Sequence, residues 1–324
     1  MKLSKVSKCL IATPISHLSQ VSTFVDLHHD CFLLNENGNR NEIIEQISFN
    51  RNIKYLFVNP NAQGYYIDFD FLTATKIKGI NTCSTGTNHI DIEACTKNDV
   101  EIYNLTTDFE LIDSLPSTSE LAFGMMLSLC RKLILSNQQV IDSGLWDYTS
   151  VMGRQISGMT IGILGYGRLG KLFARMLDGF NVKIIICEND PQKSIPLKYT
   201  KVDIEELFEK SDALAIHIHS TPENKDLVDT TLLRKMKKGA CLVNTSRGDL
   251  VDEYAICKQL EEGYLGGYAT DVLRSEFTDI EKSPILNLAR KNMYNIIITP
   301  HVGGMTFEGQ TKAFLYALNK FSFS

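Results

Sequence analysis

The stretch Gly165-Tyr166-Gly167-Arg168-Leu169-Gly170 separates a short apolar run from a helical pattern. Residues 160–164 before it are apolar and rich in β-branched side chains, which predicts a buried strand. From residue 169 to residue 177, apolar side chains recur at i, i+3, i+4, i+7 and i+8, which predicts a helix packed on a sheet. A second apolar run, residues 182–187, ends at Glu188. The order is therefore strand, glycine loop, helix, strand and acid.

Each part of this segment has a physical role in binding a dinucleotide. Gly165 permits a tight turn, Gly167 lets the backbone approach a pyrophosphate, and Gly170 lets the helix pack closely on the strand. The pyrophosphate then lies on the unpaired amides at the start of the helix. Glu188 follows Gly170 by 18 positions, close to the offset of about 20 at which an acid hydrogen-bonds the adenosine ribose. The alternative is a glycine-rich turn in another parallel sheet, and the placed acid argues against it.

The bulk composition is that of an ordinary globular protein. The chain has 324 residues, of which 44% are hydrophobic and 22% charged, and its formal net charge is −5. That length allows two domains and a substantial core. The mildly acidic balance argues against nucleic acid as the main partner.

The cysteines and the N-terminus indicate a cytoplasmic protein. The eight cysteines are scattered, with no Cys-x-x-Cys pair and no histidine cluster at zinc-ligand spacing, so we expect reduced thiols and no metal site. The N-terminal lysines precede an apolar run of only about four residues, too short for a signal peptide. Nothing approaches transmembrane length, so we expect no membrane partner.

The first third of the chain alternates short apolar runs with polar, helix-like segments. This rhythm predicts a parallel sheet of its own. No phosphate-type glycine loop occurs there, so we do not expect this half to hold the cofactor. The predicted strands are residues 9–12, 31–34, 55–58, 79–82 and 100–103.

A boundary signal follows at Pro116, where hydroxyl residues able to cap a helix come before Glu120. Residues 121–135 are apolar nearly all round, so we expect one helix buried between domains or subunits. At the other end, residues 308–323 read as one amphipathic helix with nothing downstream to pair with. If that helix packs back on the first domain, the first domain is discontinuous.

Beyond Glu188 the alternation continues, and reactive side chains follow the predicted strands. The strands are residues 213–218, 240–244, 267–270 and 295–299, and the helices between them are residues 204–208, 230–236 and 254–261. Arg247, Asp271, Glu276 and His301 come after strand ends, and ligands of doubly wound sheets bind outside those ends. Taken singly, these residues could be a surface cation, a turn former, a solvated acid and a satisfied histidine. Their convergence on the edge of the dinucleotide loop favours a functional site.

These residue types suit hydride transfer between a nicotinamide and a 2-keto or 2-hydroxy acid. Histidine exchanges protons near neutral pH, so His301 suits the substrate oxygen. A neighbouring carboxylate, Glu276, would orient the ring. The planar guanidinium of Arg247 suits the substrate carboxylate.

With these motifs in place, the chain resembles the D-isomer-specific 2-hydroxyacid dehydrogenase family, phosphoglycerate dehydrogenases in particular. The resemblance is specific from about residue 153 to residue 304 and weaker at residues 86–91. The matching segments are residues 165–170 with Glu188, residues 217–223, residues 236–248, Asp271-Val272 and Thr299-Pro300-His301-Val302-Gly303-Gly304.

The resemblance implies a doubly wound α/β fold and a set of roles. A Rossmann NAD domain, residues 117–300, would be inserted in a smaller flavodoxin-like α/β substrate domain, residues 1–116 and 301–324. Arg247, Glu276 and His301 would be catalytic, and backbone amides at Thr85 and Gly86 would hold the substrate carboxylate. A homodimer would form through residues 121–135. The implied cofactor residues are Gly165, Gly167, Arg168, Leu169, Gly170, Glu188, His217, Thr245, Ser246, Asp271 and Gly304.

Three departures and two alternatives stay open at this point. Phe277 and His219 stand where the family usually has proline, and residues 59–61 lack the cations expected for a phosphorylated substrate. Glu188 favours NAD over NADP because a carboxylate repels a 2′-phosphate, although Lys193 lies nearby in the sequence. The alternatives are an NADPH-dependent glyoxylate or hydroxypyruvate reductase and a non-catalytic NAD-sensing binding protein of the same fold.

Overall fold

The computed structural model describes residues 1–59, 65–87, 89–276 and 278–323. In this part of the chain the strands are β1 (Lys2–Leu3), β2 (Lys8–Ile11), β3 (Phe32–Leu34), β4 (Ile53–Val58), β5 (Gly79–Thr82), β6 (Glu101–Tyr103), β7 (Thr160–Leu164), β8 (Lys183–Cys187), β9 (Thr200–Lys201), β10 (Ala213–Ile216), β11 (Cys241–Asn244), β12 (Gly267–Thr270), β13 (Ile296–Ile298) and β14 (Ser322–Phe323). The α-helices are α1 (Ser19–Leu27), α2 (Arg40–Phe49), α3 (Phe69–Thr75), α4 (Ile92–Lys97), α5 (Phe109–Asp113), α6 (Ser117–Cys130), α7 (Leu133–Ser143), α8 (Arg168–Leu177), α9 (Ile204–Lys210), α10 (Thr230–Lys235), α11 (Glu253–Glu261), α12 (Pro284–Ala289) and α13 (Phe307–Asn319). Among these helices, none has the length and apolarity that a bilayer crossing requires.

The chain divides into two compact units, and the first comprises Met1–Leu115 with the C-terminal segment from Thr306. Its parallel five-stranded sheet has the order β3-β2-β4-β5-β6, which is the flavodoxin-like order 2-1-3-4-5. Helix α13 packs on α1 and buries Phe314 and Leu318 in the core of this unit. The expected helix over residues 308–323 is wrong at its end, because the helix stops at Asn319 and β14 pairs with β1.

The second unit, Pro116–Met305, contains a parallel seven-stranded sheet of order β13-β12-β11-β10-β7-β8-β9. Starting from β9, the order is 3-2-1-4-5-6 with one more strand at the far edge, which is the Rossmann arrangement. The predicted α/β fold with a doubly wound Rossmann sheet is therefore confirmed. Strand β7 lies at the point where the order reverses, and the glycine loop follows it.

Both faces of the seven-stranded sheet are covered by helices, which explains why its strands are apolar throughout. In β10, Leu214 and Ile216 face a core shared with helices α9 to α12. Ala213 and Ala215 face the opposite core, shared with α6 and α8. All eight cysteines are free thiols, and seven of them are buried in the cores of the two units.

The apolar run over residues 121–135 is divided between two helices and does not form one, whereas its burial between domains or subunits stays a prediction. Helix α6 ends at Cys130, Lys132 takes a left-handed φ of 49°, and no residue of the following helix α7 is buried. The chain returns directly over this helix end, since the Arg154 N–H donates to the Cys130 carbonyl over 2.7 Å. The apolar residues of α6 therefore lie against the sheet, whereas those of α7 face outward.

Candidate active site

The carboxyl ends of six adjacent strands in the second unit lie in register. Leu164 pairs with both Cys187 and Ile216, and the pairing continues through Asn244 and Thr270 to Ile298. Because parallel strands end at the same edge of a sheet, the residue after each strand lies on one line. From β8 to β13 these residues are Glu188, Gly165, His217, Thr245, Asp271 and Thr299.

The glycine loop has the geometry that its spacing predicts. Gly165 has a φ of +95°, and a Cβ there would lie 2.6 Å from the His217 carbonyl oxygen, so only glycine fits. A Cβ at Gly170 would lie 2.1 Å from the Gly165 oxygen. Gly167, by contrast, faces open space and is the N-cap of α8, which begins at Arg168 and Leu169. The start of α8 is therefore exposed to any anion that approaches the loop.

Glu188 braces this loop. Its carboxylate accepts hydrogen bonds from the Tyr166 N–H over 2.8 Å and the Asp190 N–H over 2.9 Å. It also pairs with Lys193, whose Nζ lies 3.0 Å from Oε2. Burial alone would raise the pKa of Glu188, but the Asp190 amide, the Lys193 ammonium and the Tyr166 amide together lower it. Glu188 is therefore ionised at neutral pH and forms an ion pair with Lys193. The sequence showed only that the two residues are five positions apart.

His217 contributes its backbone to the loop and its ring to the core. The ring centroid lies 4.9 Å from that of Phe173, and burial lowers the pKa of this histidine to about 4. The ring is therefore neutral near pH 7 and faces inward. A contact between this residue and a cofactor would involve the carbonyl that approaches Gly165.

A tight turn after β11 sets the direction of Arg247. The Ser246 N–H donates to Asn244 Oδ1, and Asn244 Nδ2 donates to the Arg247 carbonyl, over 3.0 Å and 2.9 Å. The Ser246 hydroxyl donates to the Ile216 carbonyl at the end of β10. Thr245 is different, because its buried hydroxyl has no hydrogen-bond partner among the described residues. Of the two hydroxyls, that of Thr245 is the one available to a ligand.

His301 and Glu276 form a hydrogen-bonded pair. The histidine Nδ1 lies 3.2 Å from each carboxylate oxygen of Glu276, and the Leu273 N–H also donates to Glu276 Oε2 over 3.3 Å. The Glu276 side chain is 15% exposed and that of His301 is 37% exposed. The pair is thus an inner carboxylate with an outer imidazole, whose Nε2 lies on the side of the ring away from the acid.

Arg247 lies in the electrostatic field of this pair. Its guanidinium is half-buried, and Nη1 donates to the Ser246 carbonyl over 2.7 Å. Burial lowers the pKa of Arg247, and the negative charge of Glu276 opposes that change. A half-buried cation near a histidine that is hydrogen-bonded to a carboxylate suits a substrate that carries a carboxylate next to a carbonyl.

Asp271 holds the loop that carries His301. Its Oδ1 accepts from the Thr299 hydroxyl and the Val302 N–H, over 2.5 Å and 2.8 Å, and its Oδ2 accepts from the Gly303 N–H over 2.7 Å. His301 has a φ of +53°, which costs free energy in a residue other than glycine and persists only where its surroundings enforce it. Burial raises the pKa of Asp271 against these hydrogen bonds. The carboxylate expected beside the cofactor is thus engaged by the histidine loop.

The remaining predicted residues are Gly304, which is exposed, and Thr85 and Gly86, which lie in the first unit. Gly304 is exposed and faces open space. Thr85 and Gly86 belong to the first unit, where their carbonyls accept hydrogen bonds from the Thr106 and Ser84 hydroxyls. Their N–H groups donate no hydrogen bond within the described ranges. Phe277, Pro60 and Asn61, singled out as departures, lie outside the described residues, as does Asn88 of the loop at residues 86–91.

Comparison with known proteins shows which family has a similar sequence. A family model described as "D-isomer specific 2-hydroxyacid dehydrogenase, NAD binding domain" matches residues 123–303. A glyoxylate reductase of Thermofilum pendens is 34% identical over 249 residues, which cover 74% of this chain and 69% of that protein.

Solved structures repeat the fold over nearly the whole chain. The NAD-dependent formate dehydrogenase of Staphylococcus aureus in complex with NAD superposes with a TM-score of 0.78 at 25% identity, covering 95% of this chain and 92% of that one. An acyclic imino acid reductase in complex with NADPH and D-Arg superposes with a TM-score of 0.75 at 26% identity, covering 96% and 94%.

Proposed function

The chain belongs to the family of D-isomer-specific 2-hydroxyacid dehydrogenases, and from this premise we propose that it interconverts a 2-keto acid and a D-2-hydroxy acid. The observation that carries the proposal is the pair of His301 and Glu276 beside the half-buried Arg247. All three follow strands of the sheet whose β7 leads into the glycine loop. This arrangement supplies a proton, a counter-charge and a cation on one sheet edge.

In this mechanism His301 exchanges a proton with the substrate oxygen, and Arg247 binds the substrate carboxylate and polarises the carbonyl. Glu276 keeps the imidazole oriented through Nδ1 and stabilises the imidazolium, so that Nε2 faces the substrate. A bound nicotinamide supplies the hydride for reduction of the carbonyl carbon or accepts it in the reverse direction. Asp271 maintains the loop conformation that presents the histidine.

The residues present fit a nicotinamide dinucleotide. Gly167 leaves open space at the start of α8, where Arg168 and Leu169 would hold the pyrophosphate. Glu188 would accept a hydrogen bond from the adenosine ribose, and the unpartnered Thr245 hydroxyl would face the nicotinamide end. We favour NAD because of this acid.

One observation supports the NADPH-dependent alternative. Lys193 lies 3.0 Å from the Glu188 carboxylate and offsets the charge that would repel a 2′-phosphate. A glyoxylate or hydroxypyruvate reductase using NADPH is therefore the second candidate, and cofactor preference separates the two.

We assign the substrate carboxylate also to the backbone amides of Thr85 and Gly86, which have no acceptor within the described residues. The first unit would then be the substrate domain and the second the cofactor domain. A small 2-keto acid suits amides of this kind, since its carboxylate can accept hydrogen bonds from them.

We further propose that two copies of the chain associate through α7 and the segment after it. Ile141, Trp146, Tyr148 and Met152 are 65% to 90% exposed, and a concentration of large exposed apolar side chains within twelve residues of the sequence is what an interface between copies requires. Light scattering is expected to give a dimer mass, and replacing Ile141 and Trp146 by Asp should give a monomer. Leu197, exposed elsewhere in the second unit, provides the control substitution, which should leave the mass unchanged.

The test of the activity is NADH oxidation by the purified protein with a panel of 2-keto acids: glyoxylate, hydroxypyruvate, pyruvate, 2-ketoglutarate, phosphohydroxypyruvate and branched-chain 2-keto acids. Each assay is repeated with NADPH. Turnover with one acid identifies the substrate and the cofactor together. Silence across the panel with NADH binding intact would reject these acids as substrates and leave either a larger 2-keto acid, which keeps the proposal, or a sensing protein, which rejects it.

A further inference from the structure

Glu253, the first residue of α11, is a buried carboxylate that is held by hydrogen bonds and has the Arg274 side chain in its electrostatic field. It is 6% exposed, and within the described residues no lysine or arginine lies at ion-pair distance from it. Its Oε1 accepts from the Arg274 N–H over 3.0 Å and its Oε2 from the Ser283 hydroxyl over 2.9 Å. One side chain therefore ties down both ends of the segment from residue 274 to residue 283.

That segment carries Glu276, the partner of His301. The Leu273 N–H donates to the Glu276 carboxylate, and the next amide along the chain, that of Arg274, is the one held by Glu253. The hydrogen bonds thus run in sequence from Glu253 through the backbone at residues 273 and 274 to Glu276, and from there to His301.

The same peptide also touches the backbone beside Arg247. A Cβ at Gly248 would lie 2.3 Å from both the Leu273 carbonyl carbon and the Arg274 nitrogen. The Arg274 side chain donates to the Val251 carbonyl over 2.9 Å and pairs with Asp226. The backbone at residues 273 and 274 is therefore fixed between the turn that bears Arg247 and the carboxylate of Glu253.

Burial of a carboxylate is costly and is tolerated only where hydrogen bonds or nearby charge satisfy it. At the first turn of a helix, an exposed acid would already interact favourably with the helix dipole. Burial of Glu253 therefore needs another reason, and its two contacts supply one. We propose that Glu253 is a positioning residue that fixes Glu276 at hydrogen-bond distance from His301, so that the imidazole stays oriented toward the substrate. The effect of Glu253 on turnover rests on the proposed function, whereas its effect on the position of Glu276 rests on the contacts alone.

The test compares Glu253→Ala and Glu253→Gln with a matched control, Asp252→Ala. Asp252 caps the same helix, but within the described residues its carboxylate accepts hydrogen bonds from the Tyr254 and Ala255 amides of α11 alone. Glu253→Ala is expected to lower kcat roughly tenfold, less than the about 10²- to 10⁴-fold contribution of the general acid itself, with the dissociation constant of NADH unchanged. Glu253→Gln keeps an acceptor for the Arg274 amide and should restore most of kcat. Asp252→Ala should lower thermal stability to a similar degree and leave kcat unchanged.

A double-mutant cycle distinguishes positioning from general destabilisation. In a Glu276→Gln background, Glu253→Ala should have less than a twofold further effect on kcat, because the group that it positions is already gone. Additive effects would overturn the proposal, as would an equal loss of kcat in Asp252→Ala.

A readout independent of turnover separates this proposal from the proposed function. The ¹⁵N resonance of His301 Nδ1, assigned by its absence in His301→Ala, reports the hydrogen bond to Glu276. It should move in the same direction in Glu253→Ala and Glu276→Gln and stay in place in Asp252→Ala. An unmoved resonance in Glu253→Ala overturns the positioning role even if the enzyme is active. A moved resonance in a protein inactive with every 2-keto acid would support the positioning role and reject the proposed function.

Discussion

The first strand-to-helix turns of the two parallel sheets share one hydrogen bond, from a backbone amide to an acid, but differ in length and in side chains. In the first unit Glu36, after β3, accepts from the Ile15 N–H over 3.1 Å. In the second unit Glu188, after β8, accepts from the Tyr166 N–H over 2.8 Å. In both sheets an acid from the neighbouring strand thus holds an amide of the first strand-to-helix turn.

The turns themselves have opposite consequences for ligands. Residues 12–18 separate β2 from α1, and they fill the core with Ile15 and Leu18 while Pro14 offers no N–H. Only Gly165, Tyr166 and Gly167 separate β7 from α8, and the helix starts beside open space. The topology of a parallel sheet supplies the edge, but a nucleotide site also requires a short turn whose glycines leave the helix start open.

The largest expected effect distinguishes the edge of the second sheet, which bears His301, from the corresponding edge of the first sheet. We expect His301→Ala to lower kcat by roughly 10² to 10⁴, the usual contribution of a general acid or base, while NADH still binds. His17, in the first turn of the first unit, hydrogen-bonds Gln310, and His17→Ala is the matched control, with kcat unchanged. Steady-state kinetics with calorimetric NADH titration measures both. Unchanged turnover in His301→Ala would refute the assigned role.

The next effect concerns the glycine turn. In Gly165→Ala, the new Cβ meets the His217 carbonyl and the left-handed backbone costs about 1–3 kcal/mol. We expect the dissociation constant of NADH to rise at least about tenfold, as measured by calorimetry. Gly179→Ala is the control, since no heavy atom lies within 4 Å of its Cβ position. Equal NADH affinities in the two variants would show that the turn is not the cofactor loop.

A smaller effect is expected at the two bracing acids. Glu188→Ala should reduce the preference for NADH over NADPH by about tenfold, because a hydrogen bond to a charged group is worth about 1.5–3 kcal/mol. Glu36→Ala should leave the preference unchanged. The measured quantity is the ratio of kcat/KM for the two cofactors. An unmoved ratio in Glu188→Ala would mean that this acid is not the ribose ligand.

The pKa of Glu188 adds a pH dependence of known sign. Because the fold lowers the pKa of this carboxyl, its contribution to stability is fully present above the unfolded pKa of about 4.3. That contribution is lost as the pH falls through the lower folded value. Above about pH 7.5, where the 2′-phosphate of NADPH is fully ionised as well, the cofactor preference should therefore stay constant up to about pH 9, and a change across this range would contradict the assignment.

The smallest effect is expected in the first unit. Pro14→Ala should lower the free energy of unfolding by about 0.4–1 kcal/mol through the entropy of the unfolded chain, with NADH affinity unchanged. Denaturant unfolding and NADH titration check the two halves of this statement. A loss of NADH affinity would contradict the assignment of NADH binding to the second unit alone.

Most of the central strands could be predicted because a buried parallel strand is a short, continuous apolar run. Residues 160–164 and 267–270 were predicted at both ends for this reason. The two-residue strands β1, β9 and β14 were missed, since two residues carry no periodicity. The boundary between α6 and α7 was missed because the chain that returns over Cys130 is distant in sequence.

By itself, the sequence determined the α/β class, the glycine loop and the candidate residues His301, Glu276 and Arg247. It could do so because local spacing and strand-end position are properties of neighbouring residues. Only the tertiary structure decided that Lys193 neutralises Glu188, that Asp271 holds the loop at residues 299–303 and that Glu253 reaches across to the Glu276 segment. Each of these contacts is a hydrogen bond or an ion pair between groups that only the folded structure brings together. Such contacts produce no periodic pattern along the sequence, so the sequence did not predict them.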